Sequence, residues 1–358
     1  MAGPSTPQRA VTTRDIAQAA GVAQSTVSRA LRNAPSISAA ERERIKKIAQ
    51  KLGYRPNPFV SAFTAQVLHY RRSPQGAVIA FIECSDVETV YSREYQEGAR
   101  DRAHALGFST EIFRLADVNH SFPRLNKVLQ ARAISAALIL PVPAGVDFST
   151  FDFEPLACAA VDPTLHNAQV SRAEPDYFQN MQLALDVLEA RGYKRPTFGS
   201  HAGESALISN AWLGAFTAWQ AFRPRRERME PCLNVWGREK VSQWYLRHKP
   251  DAIICNSLEY FVWAAESGLK PPDVAYVFLG AGPRRPLLSR FTNSASSVHD
   301  ELGKLMISGV NQNRHQVGAF AVDNIVAQIH RNEYGLHRHP NTLMVQGTWF
   351  EGETIRPA

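Results

Sequence analysis

The sequence has little cysteine: four residues in 358, at Cys84, Cys158, Cys232 and Cys255. Their spacing matches no zinc or dithiol motif, which excludes a disulfide framework and leaves isolated buried thiols in a reducing compartment. No apolar run approaches the roughly 18 residues that a membrane-spanning helix needs. The first residues, MAGPSTPQRAVTT, lack the apolar centre of a secretory leader. Catalytic signatures are also missing. GSHAG at 199–203 places His201 where a nucleophile elbow needs serine, and Gly280-Ala281-Gly282 is only a fragment of a dinucleotide fingerprint. His337 and His339 flank Arg338 in a polar stretch that reads as surface rather than as a metal site. Neither enzyme activity, nor a metal, nor a cofactor is expected. The expected location is the cytoplasm, in association with the nucleoid.

Acidic residues are scarce at one end of the chain. Residues 1–72 hold 12 Lys/Arg against three acids, a net of +9, while the remaining 286 residues carry a net of −2. An ordinary solvated surface mixes its signs. A small basic module on a near-neutral body fits a polyanionic partner.

That module is patterned to fold. Thr12 is a helix N-cap with Asp15 in the favourable first turn. Ile16, Ala17 and Ala20 give one apolar face, and Gly21 ends the helix as a left-handed residue. A second helix over about 24–32 points Val27, Ala30 and Leu31 inward and Gln24, Ser25, Ser28, Arg29 and Arg32 outward. In SISAAERERIKKIAQKLGY a third helix begins at a Ser38/Glu41 capping box, buries Ile45, Ile48, Ala49 and Leu52, and stops at Gly53. Two short helices joined by a tight turn and braced by a third make a helix-turn-helix, whose second helix fits the major groove of double-stranded DNA. Arg29 can take guanine O6/N7 bidentately, Gln24 can do so for adenine, and Ser25 serves either. Thr26 and Ser28 suit phosphate oxygens; Thr12, Arg32 and Tyr54 are placed with them. The competing reading, a three-helix bundle for protein contacts, leaves the charge asymmetry unexplained.

The stretch VTTRDIAQAAGVAQSTVSRALRNAPSISAAERERIKKIAQKLGYRPN, residues 11–57, closely resembles the headpiece of the lactose/galactose repressor family. The resemblance implies that Gln24, Ser25 and Arg29 read bases. One departure is Ala23, where the family usually has a serine cap, a loss on the order of 1 kcal/mol. It also implies that residues 58–74 form a hinge helix entering the minor groove in pairs, with Asn57, Val60 and Phe63 at the groove and Phe63 where the family has its wedging leucine. The alternative is that Phe59 and Phe63 pack into the body. Three parts follow: a headpiece over 1–57, a hinge and linker over 58–74, and a body over 75–358.

In the body, apolar strand-like runs alternate with helical ones: GAVIAFIE, then YSREYQEGARDRAHALGF, then STEIFRL, and so on through VAYVFLG. This alternation predicts two doubly wound parallel α/β lobes, with ligand beyond the carboxyl ends of the strands in a cleft. The expected division is about 75–172 with part of 297–320, and about 173–296 with part of 321–358, ending in a strand pair around Gly347 and Gly352. The resemblance implies a body like a periplasmic sugar-binding protein, with Ser85, Asp162, Asn210, Trp212, Asn256, Tyr260, Arg284 and Asn313 as candidate cleft residues. The family's acids are thinned at two places, Asn256-Ser257 and GAGPRRP, and in the second Arg284 and Arg285 appear instead. The effector is therefore expected to be a sugar or an anionic metabolite. For Trp212 the alternative is helix–sheet packing, and Asn313 either caps the last helix or faces the cleft. The function expected is a homodimeric, sequence-specific regulator, acting as a repressor at a palindromic operator and modulated by a small molecule. The alternatives are a ligand-independent regulator with a degenerate cleft, or a periplasmic-type binding protein.

Overall fold

A computed structural model describes residues 11–31, 34, 36–54, 77–87, 90–200, 208–233, 235–282 and 304–357. Arg32, Asn57, Val60, Phe63 and Arg284 lie outside the described residues.

The headpiece is three helices, α1 (Thr13–Ala20), α2 (Gln24–Leu31) and α3 (Ala39–Lys51). Thr12 and Asp15 close a full capping box: the Asp15 N–H donates to the Thr12 hydroxyl, and the Thr12 N–H donates to Asp15 Oδ2 at 2.7 Å. Gly21 ends α1 at φ +67°, a conformation a side chain resists. At Ser38 only half of the expected box forms. Ser38 Oγ accepts from the Glu41 N–H, but the Glu41 carboxylate turns to Arg44 at 2.7 Å. Arg44 in turn donates to the Ala20 carbonyl at 3.1 Å, tying α3 to the end of α1. The core consists of Ile16, Ala17, Ala20, Val27, Ala30, Ile45 and Ala49. With Ile16, Val27 and Ile45 each fully buried, each contributes roughly 1.5–3 kcal/mol. Leu52, expected in this stripe, is exposed at the helix end, where the chain has left the core.

The body holds two six-stranded sheets. The first contains β1 (Val78–Glu83), β2 (Ser109–Arg114), β3 (Ala136–Ile139), β4 (Ala157–Val161), β5 (Ser171–Pro175) and β11 (Thr342–Val345), in the order β11-β5-β4-β3-β1-β2 and all parallel. The second contains β6 (Pro196–Ser200), β7 (Cys232–Leu233), β8 (Ala252–Cys255), β9 (Ala275–Phe278), β10 (Ser308–Asn311) and β12 (Thr348–Phe350), in the order β12-β10-β9-β8-β6-β7 with only β12 antiparallel. Helices α4 (Val90–Ala105) and α10 (Arg314–Arg331) cover one face of the first sheet, and α5 (Phe122–Ala131) the other. In the second lobe α6 (Tyr177–Ala190) and α7 (Ala211–Ala221) cover one face, and α8 (Arg238–His248) and α9 (Glu259–Glu266) the other.

The chain passes between lobes three times, from β5 to α6, from β10 to α10, and from β11 to β12. The C-terminal third alternates between the lobes: strand β10 belongs to the second sheet, whereas α10 and β11 return to the first. The expected final strand pair is likewise split, because β11 extends one sheet and β12 the other. The physical reason is packing. The apolar stripe Val317, Ala321, Val322 and Ile325 is buried against the first sheet and α4. The two helices touch backbone to backbone at Gly98 and Gly318: a Cβ on Gly98 would strike the His315 carbonyl, and one on Gly318 the Tyr95 carbonyl. Gln328 ties α10 to β4, accepting from the Cys158 N–H and donating to its carbonyl, each at 2.9 Å.

Candidate functional site

Two regions carry exposed or convergent polar groups. On the headpiece, α2 buries Val27 and Ala30 while Gln24, Ser25 and Arg29 are exposed and Thr26 and Ser28 half-buried. Ser25 and Arg29 stand one turn apart on one face. Gln24 Nε2 donates to Thr13 Oγ1 at 2.9 Å, which fixes its amide across the turn from α1. The Thr12 hydroxyl is exposed and engaged with Asp15 Oδ2 at 2.8 Å; Tyr54 is half-buried against the core just after α3.

The second region lies where the lobes meet. Asp162, just past β4 at φ +69°, accepts from the Tyr95 hydroxyl at 2.9 Å and from the Tyr177 hydroxyl at 2.8 Å, both on Oδ2. Its other oxygen, Oδ1, is buried without a hydrogen-bond partner among the described residues. Burial raises the Asp162 pKa, against the two phenols and the charges of Arg314 and Arg172. Both phenols are pushed well above their ordinary range, first by burial and then by the Asp162 charge. Arg314, the first residue of α10, is only 9% exposed. Its guanidinium lies 4.1 Å over the Tyr91 ring and reaches Glu94 Oε2 at 3.5 Å. Beside it Gln312 is fully buried: its Nε2 donates to the Leu279 carbonyl, and its Oε1 has no partner among the described residues.

Residues 12–57 match the family model of bacterial regulatory proteins of the lacI family. The HTH-type transcriptional regulator PtxS of Pseudomonas plecoglossicida is 26% identical over 253 residues, 69% of this chain and 72% of that protein. The HTH-type transcriptional regulator DegA of Bacillus subtilis (strain 168) is 31% identical over 98 residues, 27% of this chain and 26% of that protein. Among solved structures, the lac repressor dimer bound to operator and the anti-inducer ONPF matches at a TM-score of 0.53 and 17% identity, over 97% of this chain and 99% of that one. The transcriptional regulator CelR–cellobiose complex matches at 0.51 and 17%, over 96% and 99%. These two share the fold.

The chain carries a lacI-family DNA-binding domain over residues 12–57 and is similar to a transcriptional regulator over most of its length. Its function is therefore regulatory rather than enzymatic, and its headpiece is a DNA-binding helix-turn-helix. No helix among the described residues is long and apolar enough to cross a membrane.

The regulator gathers only some of the residues expected in the cleft. Asp162 lies where the lobes meet, bonded to Tyr95 of the first and Tyr177 of the second. Trp212 is buried, its ring edge-on to Tyr177 at 5.0 Å, so it lines the core behind the site. Tyr260 is a correction: it is fully buried in the second lobe, its ring against Gly199 and its hydroxyl on the Val235 carbonyl at 3.2 Å, because α9 turns this face onto the sheet. Asn313 is held at a crossing, its Nδ2 donating to the Gln346 carbonyl at 2.9 Å. Ser85 closes a turn on the Val87 carbonyl at 2.8 Å. Asn210 precedes α7 in a left-handed conformation, and Asn256 is half-buried just past β8. Sequence reasoning missed Arg314, Gln312, Tyr91, Tyr95 and Tyr177. One signal was available for Arg314. A cation in the first turn of a long helix opposes the helix dipole, and a residue kept against that cost has a local reason to be there.

Proposed function

We propose that two copies of this regulator bind one inverted-repeat operator and repress from it. Each headpiece reads a half-site through Gln24, Ser25 and Arg29, with Thr12, Thr26, Ser28, Arg32 and Tyr54 on phosphates. Asn57, Val60 and Phe63 of the paired hinges enter the central minor groove. A small molecule, a sugar or an anionic metabolite, binds between the lobes. It shifts headpiece spacing only as far as its affinities for the two lobe arrangements differ. The protein acts in the cytoplasm, on the nucleoid. The observation that carries this reading is the exposed Gln24, Ser25 and Arg29 face of α2 on a module with a net charge of +9. The dimer on operator DNA in the lac repressor structure supports the two-copy arrangement.

Selection of bound fragments from random DNA by the full-length protein tests it. The expected product is an inverted repeat; a single unpaired half-site, or no enrichment, contradicts it.

A further inference from the structure

The outer edge of the second lobe carries charge of a sign that the rest of the body does not. Three segments lead into the amino ends of β6, β7 and β8, at 191–195, 223–230 and 247–251, and hold nine Lys/Arg against three acids, a net of +6. The other 268 residues of 73–358 hold 19 against 27, a net of −8. The three segments form one surface. Arg195 donates to the His248 carbonyl at 2.9 Å and meets Met229 Sδ at 3.3 Å, and Thr197 Oγ1 donates to the Glu230 carbonyl at 3.1 Å. Asp251 is spent on the Lys194 and Arg195 N–H groups, at 2.8 Å each. Arg223 is held by Glu189 and lies over the Trp219 ring at 4.3 Å, and Arg228 donates to the Ala221 and Arg223 carbonyls. The remaining cations are uncommitted. Lys194, Arg225, Arg247 and Lys249 are exposed and form no ion pair among the described residues. Arg226, its side chain 85% exposed, comes no closer than 3.8 Å to Glu227. Like charges gathered without partners repel one another, and an edge built this way on an otherwise acidic body fits a polyanion.

The fold puts this edge far from the headpiece's attachment. Strands of both sheets run toward the crossings from β5 to α6 and from β10 to α10, so the amino ends of both sheets face outward. The headpiece joins the body ahead of β1, on the outer edge of the first lobe, and the basic edge lies at the opposite end. Two exposed apolar side chains, Phe222 and Leu246, stand next to these five free cations. Protein interfaces are poor in lysine and in charge at their centres, whereas a phosphate backbone is held chiefly by charge. The balance favours DNA, the polyanion that the headpiece already binds. We propose that the outer edge of the second lobe is a second, sequence-independent DNA-binding surface, through which a regulator anchored by its headpiece holds a separate duplex.

The test is capture of a second duplex by the full-length protein. The protein is bound to an immobilised duplex selected as its operator, the excess is washed away, and a fluorescent duplex of random sequence is offered at about 50 mM salt. A random-sequence bait serves equally if no operator is selected, so failure of operator reading leaves this test standing. The parent is expected to capture the second duplex, and capture is expected to fall at least about tenfold by roughly 200 mM salt. Combined Lys194→Glu, Arg225→Glu and Arg226→Glu are expected to reduce capture at least about fivefold while affinity for the immobilised duplex stays within about twofold, which also shows that the variant is folded. Arg225→Lys with Arg226→Lys is expected to keep capture, because a phosphate contact of this kind needs the charge. If the triple variant does not fold, Arg225→Glu alone makes the same comparison, with a loss of about twofold or more expected. No capture by the parent, or equal capture by a folded charge-reversed variant, would overturn the proposal. Binding of a poly-glutamate peptide without capture of the duplex would overturn it in favour of an acidic protein partner.

Discussion

Tyr177, at the start of the second lobe's first helix, donates its hydroxyl hydrogen to Oδ2 of Asp162, at the end of a first-lobe strand, across 2.8 Å. Tyr95 of the first lobe donates to the same oxygen at 2.9 Å. One carboxylate oxygen thus ties both lobes. Tyr177→Phe keeps the ring and its edge-on contact with Trp212 while removing the tie. A destabilisation of about 1.5–3 kcal/mol is expected, the range for a hydrogen bond to a charged group. Chemical denaturation of the two proteins measures it, and an unchanged midpoint would show that the phenol holds nothing.

A second prediction concerns pH. Burial raises the Glu174 pKa to about 7; Arg172 partly opposes this, and Asp162 and Asp176 add to it. The folded state therefore binds this proton more tightly than the unfolded chain does. Its contribution is fully present below the ordinary carboxylate value and is lost as pH rises toward 7. Asp162, raised in the same direction by burial, acts in the same sense. Over this window Glu174→Gln is expected to flatten the dependence of stability on pH by on the order of 2–3 kcal/mol. Melting temperatures across the range check this; parallel curves for the two proteins would refute it.

Two glycines on helices should respond oppositely to alanine. Gly318 sits where α10 meets α4 backbone to backbone, so a methyl there forces the helices apart. Gly318→Ala is expected to cost about 1–3 kcal/mol, in the range of overpacking. Gly214, exposed in α7 with nothing near its Cβ position, should gain roughly 0.5–1 kcal/mol as alanine. Denaturation midpoints moving in the same direction would contradict the contrast.

What was legible in the sequence divides along a physical line. The headpiece is specified locally: the Thr12–Asp15 box, left-handed Gly21 and the inward Val27 and Ala30 each follow from residues a few positions apart. The parallel strands with long apolar runs were legible for the same reason. Strands β5 (SRAEP) and β10 (SGVN) were not, because they are short and partly polar, and their strand character comes from neighbours on both sides. The return of α10 to the first lobe was hidden too. It depends on Gly98 and Gly318, more than two hundred residues apart, allowing two helices to touch. Asp162 was named as a candidate, but Arg314 was not, because in NQNRHQ it is one polar residue among several at a helix start.

Counterion release gives a further test of the basic module. Operator affinity is expected to fall about a thousandfold or more between roughly 50 and 200 mM salt, as for proteins that neutralise several phosphates. Fluorescence anisotropy over a salt series measures the slope, and a flat response would remove the phosphate contacts from the account.

The most direct test is of Arg29, exposed on α2 and assigned to a base edge. Binding of the parent and of Arg29→Ala is compared on the selected operator and on random duplex DNA at one salt concentration. The expected result is a loss of about 1–3 kcal/mol on the operator with little change on random DNA. An equal loss on both would mean that Arg29 only neutralises phosphate, and base reading from this face of α2 would be contradicted.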